Sequence, residues 1–182
     1  AWNFDHFYPI IGDGDGPCLE AWVTLSALAQ ATSRIRIGCM VNGVPYRHPA
    51  LVANMAASLD IVSGGRLELG LGAGWNEQET EAYGIDLLPI GQRMDRFEEA
   101  VEVVDSLLSN EFTTFRGKYF QLEQARCEPK GPQQPRSPIV IGGGGEKRTL
   151  RIAARFVQHW NISFVTPDQF LKKNEILLTH CE

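Results

Sequence analysis

Four short segments of this 182-residue chain pair reactive residue types with glycine spacing that leaves room for a ligand. The first is Asp5-His6. An imidazole exchanges protons near neutral pH better than any other side chain, and the adjacent Asp5 is placed to orient it. The competing reading of His6 is a loop hydrogen bond. The second is Gly38-Cys39-Met40-Val41-Asn42-Gly43. A glycine on each side points to unusual backbone or to close approach of a flat ligand; an ordinary connection is the alternative. The third is Gly70-Leu71-Gly72-Ala73-Gly74-Trp75-Asn76-Glu77. Its alternating glycines leave space for a ring system, and Glu77 reads first as a charge in the opening turn of a helix. It is not the dinucleotide fingerprint, because Glu77 stands where that pattern needs its third glycine.

The fourth segment, Ile141 to Thr149, carries the strongest physical signal. Four consecutive glycines, Gly142 to Gly145, join a strand to a helix start, where free backbone N–H groups and the helix dipole make an anion site. Lys147 and Arg148 add positive charge. No Gly-Lys-Ser/Thr closes the loop, so it is not a Walker loop. Asp13 and Asp15 lack the further oxygen ligands of a calcium loop and read as a solvated turn.

These segments need strands and helices to hold them, and the chain alternates between the two. Trp2–His6 reads as a strand end, Leu19–Thr32 as a helix, Arg34–Val41 as a strand. Pro49 suits the first turn of a helix reaching about Val62, with Leu51, Val52, Met55, Ala56 and Leu59 on one face. Ser63-Gly64-Gly65 stops it before a strand at Arg66–Leu71. Gln92–Ser109 is a long helix, with Met94, Phe97, Val101, Val104 and Leu108 on its buried side. Residues 110–137 are irregular, with a hairpin near Phe115–Phe120. Pro138–Gly142 is a strand, Glu146–Phe156 a helix, His159–Phe164 a strand, and Pro167–Leu178 a helix. Such alternation implies a parallel sheet with helical crossovers. A doubly wound sheet and a barrel both satisfy it, and both put ligands at the carboxyl ends of the strands.

Net charge is −5, from 17 basic and 22 acidic residues, which argues against a nucleic-acid surface. Cys18, Cys39, Cys127 and Cys181 form no CxxC pair, so neither a metal site nor a disulfide framework is expected. Free thiols in a reducing cytoplasm fit better. No apolar run reaches the roughly 18 residues of a membrane span, and the first residues have no basic n-region of a signal peptide. The sequence starts without Met and stops inside a helical pattern, so it reads as one domain over residues 1–182, cut at both ends.

Taken together, the segments resemble the luciferase-like monooxygenase family, and within it the branch that uses the deazaflavin coenzyme F420. The resemblance rests on Asp5-His6-Phe7, Tyr46-Arg47-His48-Pro49-Ala50, Ser58 to Arg66 with its Ser-Gly-Gly-Arg end, Gly70 to Glu77, Arg93 to Glu99, and Pro138 to Arg155 running into Trp160-Asn161. It implies an α/β fold of the (β/α)8 TIM barrel type, here incomplete. It also implies roles. His6 would sit beside the reactive carbon of the cofactor and take or give the substrate proton. Cys39-Met40 would form a bulge, often with a non-prolyl cis bond, behind the ring. Asn42 would reach the ring edge, Ala73 and Gly74 the ring or its side chain, and Gly142, Gly143 and Gly144 the cofactor phosphate. One departure stands out. In the branch's best-known sugar-phosphate dehydrogenase a catalytic Glu follows the Gly-x-Gly pair, and here that place holds Trp75.

The expected function is hydride transfer between F420 and a small organic substrate, with His6 as proton donor or acceptor. The first rival is an FMN-dependent two-component monooxygenase. Rivals of another class are a phosphate-binding barrel with lyase or isomerase chemistry and a non-catalytic truncated barrel. A homodimer through Leu19–Thr32 and Pro49–Val62 is the expected assembly.

Overall fold

The computed structural model describes residues 1–182. In chain order the elements are β1 (Trp2–Asn3), α1 (Ala21–Ala31), β2 (Ile37–Gly43), a 3₁₀ turn at Val44–Tyr46, α2 (Pro49–Ser63), β3 (Leu67–Gly72), α3 (Glu77–Ala82), α4 (Ile90–Ser109), β4 (Thr113–Arg116), β5 (Gln121–Ala125), β6 (Ile139–Gly142), α5 (Thr149–Phe156), β7 (His159–Asn161) and α6 (Pro167–Cys181). The five strands β1-β2-β3-β6-β7 form one parallel sheet, ordered as they occur in the chain. That order decides what periodicity left open. A doubly wound sheet reverses direction at a switch point, whereas an arc that never reverses is a (β/α) barrel in the making, here five strands of the eight.

Alternation along the strands sends one set of side chains to the helices and the other to the inner face. Ile37, Cys39, Leu67, Leu69, Leu71, Ile139 and Ile141 pack outward against Leu25, Val52, Ala53, Ala56, Phe97, Val101, Val104 and Ile152 in one continuous core. The inner face instead carries Gly70, Gly72 and Gly142 near its top. The segment between α4 and β6 is less irregular than its prolines suggest. β4 and β5 pair as an antiparallel hairpin, and the Glu99 carboxylate on α4 accepts the amides of Lys118, Tyr119 and Phe120 in its turn.

The corner between α2 and β3 is closed by Ser63-Gly64-Gly65-Arg66. Gly64 and Gly65 have φ of 68° and 82°, the left-handed conformation that ends helices and favours glycine. The guanidinium of Arg66 spends all five N–H donors on Ser63 O, Thr32 Oγ1, Ile35 O, Ala29 O and Thr32 O. It thereby covers the last carbonyls of α1 and ties two helix-to-strand corners together.

Two elements escaped the sequence reading: the 3₁₀ turn and α3. Both follow strands as short connections whose register is set by tertiary contacts. Boundaries also move: β1 stops at Asn3 rather than reaching His6, β2 is Ile37–Gly43 rather than Arg34–Val41, and β7 stops at Asn161 rather than Phe164. The helix after the glycine loop begins at Thr149 rather than Glu146, residues 146–148 forming a turn.

Candidate active site

The site is built at the carboxyl ends of β1, β2, β3 and β6. β2 carries a one-residue bulge: Cys39 pairs with Leu69, but Asn42 pairs with Leu71, so three steps on β2 match two on β3. The peptide between Met40 and Val41, inside the bulge, is cis. This refines the expected Cys39-Met40 position by one residue. The bulge pushes Val41 over the ends of the neighbouring strands, and the glycines there make room for it. A Cβ on Gly70 would lie 2.0 Å from the Cys39 carbonyl oxygen, one on Gly72 would lie 2.5 Å from Val41 Cγ2, and one on Gly142 would lie 3.0 Å from Val41 Cγ1. The alternating glycines therefore accommodate the bulge itself. Gly74, at φ 81°, fits against Pro45, which a Cβ would meet at 2.8 Å.

Beyond β1 the chain is held by two carboxylates. Asp5, 4% exposed, accepts from the Gly43 amide at 3.1 Å and from Arg47 Nη1 at 2.7 Å. Arg47 Nη2 reaches Glu20 at 2.7 Å, the residue that caps α1 through the Val23 amide. Asp5 thus does not orient His6, contrary to the reading from adjacency; neighbours along an extended chain point to opposite sides. Burial raises the Asp5 carboxyl above its ordinary value, while the Arg47 charge and hydrogen bond pull it back.

His6 is oriented by Glu79, a residue of α3 that sequence reasoning missed. His6 Nδ1 lies 2.6 Å from Glu79 Oε2. The same carboxylate accepts the amides of Phe7 and Tyr8 at 2.7 and 2.9 Å and the Tyr46 hydroxyl at 3.1 Å. Burial alone would raise the Glu79 carboxyl; the donors from His6, Tyr8 and Phe7 outweigh it and hold it below its ordinary value. Burial and the adjacent Glu79 charge push the Tyr46 phenol up, so it stays protonated and donates. Phe7 stacks on Tyr83 with centroids 4.1 Å apart and packs against Tyr46. Trp75, 63% exposed, meets the His6 ring edge-on at 5.5 Å. His6 Nε2 has no protein partner, so it is the ring nitrogen left open. Glu79 lies 73 residues from His6, and its position three residues after the capping Asn76 reads as ordinary helix-end chemistry. Only its complete burial, invisible in sequence, marks it.

The remaining predicted positions divide. Asn42 is 2% exposed, donates Nδ2 to Gly70 O at 2.7 Å, and borders a small cavity with Val52, Ala100 and Val104 on the helix side. It is therefore buried away from any ring on the inner face, because the bulge resets the alternation that would have turned it inward. Cys39 is buried in the helix-facing core. Met40, Ala73 and Gly74 lie at the strand ends. In the glycine loop, the Gly143 amide is spent on Asn161 O and its carbonyl accepts Trp160 Nε1. The amides from Gly144 to Arg148, by contrast, donate to no protein acceptor. This cradle fits the phosphate of a bound cofactor. Of the two cations, Arg148 is committed to Asp95 and Glu98 on α4, which leaves Lys147.

An arc of parallel strands with a histidine open at Nε2 and a run of unpaired backbone amides at their carboxyl ends has the layout of a (β/α)-barrel ligand site. Residues 1–174 match the model of the luciferase-like monooxygenase family, and the chain belongs to it. An F420-dependent hydroxymycolic acid dehydrogenase of Mycobacterium tuberculosis is 36% identical over 164 residues, 88% of this chain and 43% of the relative. An F420-dependent glucose-6-phosphate dehydrogenase of Amycolatopsis mediterranei is 32% identical over 147 residues, 80% of this chain and 43% of the relative. The solved structure of an F420-dependent secondary alcohol dehydrogenase, in complex with an F420-acetone adduct, superposes with a TM-score of 0.86 at 27% identity, over 99% of this chain and 55% of that one. The chain spans about half the length of the curated relatives it matches. The fold is that of the luciferase-like TIM barrels, and the two relatives named above are dehydrogenases. No helix is long and apolar enough to cross a membrane.

Proposed function

We propose that this chain carries the cofactor half of an F420-dependent oxidoreductase in which hydride moves between the deazaflavin and a small organic substrate. When bound, the cofactor supplies the hydride chemistry. The chain's own residues do the rest. Nε2 of His6 gives or takes the substrate proton, Gly144 to Lys147 hold the cofactor phosphate through their amides and the Lys147 charge, and Trp75 walls the substrate side. The observation that carries the reading is the His6 ring, fixed at Nδ1 and open at Nε2 at the carboxyl end of β1. Trp75, standing where a sugar-phosphate dehydrogenase has its acid, argues for a less polar substrate than a sugar phosphate. The four free thiols suit a reducing cytoplasm. The exposed apolar side chains Leu19, Val23, Leu51 and Val62 on and beside α1 and α2 suit a homodimer through those helices.

The test is to titrate the full-length protein with F420 and, separately, with FMN, following cofactor fluorescence. Saturable micromolar binding of F420, weakened by added inorganic phosphate, is expected. Tight binding of FMN alone would assign the protein to the flavin monooxygenases instead.

A further inference from the structure

Glu79 has an unusual position for a helix-end carboxylate. The third residue of a helix ordinarily turns back to the capping residue's amide. Glu79 instead leaves its own helix and crosses to the loop after β1, where its side chain is fully buried. Burying a carboxylate is costly unless its lone pairs are satisfied. Four donors do so here: His6 Nδ1, the amides of Phe7 and Tyr8, and the Tyr46 hydroxyl. An ionised carboxylate is an acceptor only, so the hydrogen between it and His6 must belong to the imidazole.

We propose that Glu79 is the positioning residue of the site: it fixes neutral His6 as the Nδ1–H tautomer, so that the lone pair on Nε2 faces the inner, ligand-binding side of the barrel. The same contact stabilises the imidazolium once Nε2 has taken a proton, and it opposes a ring flip, which would break the 2.6 Å bond from Nδ1 to Glu79 Oε2. Tyr46 also donates to Oε2, while the Phe7 and Tyr8 amides on Oε1 keep the carboxylate from rotating away with or without it. The inference about the tautomer stands on the geometry alone; its relevance to proton transfer rests on the function proposed above.

Imidazole-¹⁵N-labelled protein gives the readout, at a pH where histidine is neutral. The protein has four histidines, and the His6 resonances are assigned by their loss in His6→Gln. The expected spectrum has a protonated Nδ1 and an unprotonated Nε2. In Glu79→Gln the carboxamide can donate as well as accept, and the tautomer ratio should move roughly 10-fold or more toward Nε2–H, the loss expected for a hydrogen bond to a charged acceptor. In Tyr46→Phe the lock should hold. A wild-type His6 that is mainly Nε2–H overturns the proposal, and that measurement needs no variant to fold. So does a Glu79→Gln protein, shown folded by its melting curve, with an unchanged ratio, or a Tyr46→Phe protein that loses the lock to the same extent. The cofactor titration reports separately: failure to bind F420 with the tautomer locked would sink the proposed reaction and leave Glu79's hold on His6 intact.

Discussion

The glycines of β3 and the bulge of β2 make a prediction that single substitutions would miss. Gly72→Ala places a methyl 2.5 Å from Val41 Cγ2, about 1 Å closer than ordinary contact, and an overpacked site of this kind costs about 1–3 kcal/mol. Val41→Ala removes Cγ2. The nearest atoms to the new methyl are then Val41 Cβ at 3.7 Å and Asn42 O at 3.9 Å, both ordinary van der Waals distances. The double variant should therefore recover most of the loss, a coupling of about 1–2 kcal/mol beyond additivity, or roughly 2–8 °C in melting temperature for a chain of this size. Gly70→Ala behaves differently. Its methyl meets the Cys39 carbonyl oxygen at 2.0 Å, and deleting the Val41 side chain relieves only the secondary contact at 3.0 Å. Melts of the three single and two double variants check this. Rescue of Gly70→Ala equal to that of Gly72→Ala, or rescue of neither, would refute the account of the glycines as room for the bulge.

Three further outcomes follow from the site. Arg47→Leu leaves Asp5 buried without its cation and should cost about 3–5 kcal/mol, measured by urea unfolding, with Asp5→Asn restoring part of it in the double variant. The Glu79 carboxyl is held below its ordinary value, so the ionised form favours folding: its contribution is complete above the ordinary value of 4.5 and is lost as pH falls through the folded value. The stability gap between wild type and Glu79→Gln should accordingly narrow from pH 7 to pH 3.5, and a constant gap would contradict the charge assignment. In the glycine loop, Lys147→Ala should weaken F420 binding several-fold in a fluorescence titration. Arg148→Ala should leave it within about twofold and instead lower stability by about 0.5 kcal/mol, since its partly exposed ion pairs to α4 are structural.

The layout of the barrel was largely readable. Apolar runs and helical spacing located every strand of the sheet and five of the six helices, and the glycine loop and His6 stand where the pattern placed them. What could not be read was pairing across the chain. Asp5 looked like the partner of His6 because it is adjacent, whereas the partner is 73 residues away on a six-residue helix with no apolar stripe. Asn42 was assigned to the ring edge by the family resemblance, and one extra residue in β2 turns its side chain to the helix side instead. Gly70 and Gly72 were recognised as space, but whether ligand or protein fills that space depends on the bulge. Arg148 looked like a phosphate ligand until α4 supplied two carboxylates beside it.

Arg66 has a consequence for how far this site's chemistry can be inferred from the segment that most plainly marks the family. Every donor of its guanidinium is consumed at the corners below the sheet, on the opposite end of the strands from His6. The Ser-Gly-Gly-Arg stretch is thus a clasp at the base of the barrel, indifferent to what is bound at the top. A descendant of this chain could exchange His6, Glu79 and Trp75 for other groups and still be recognisable by its clasp, so kinship and chemistry are free to diverge within one architecture.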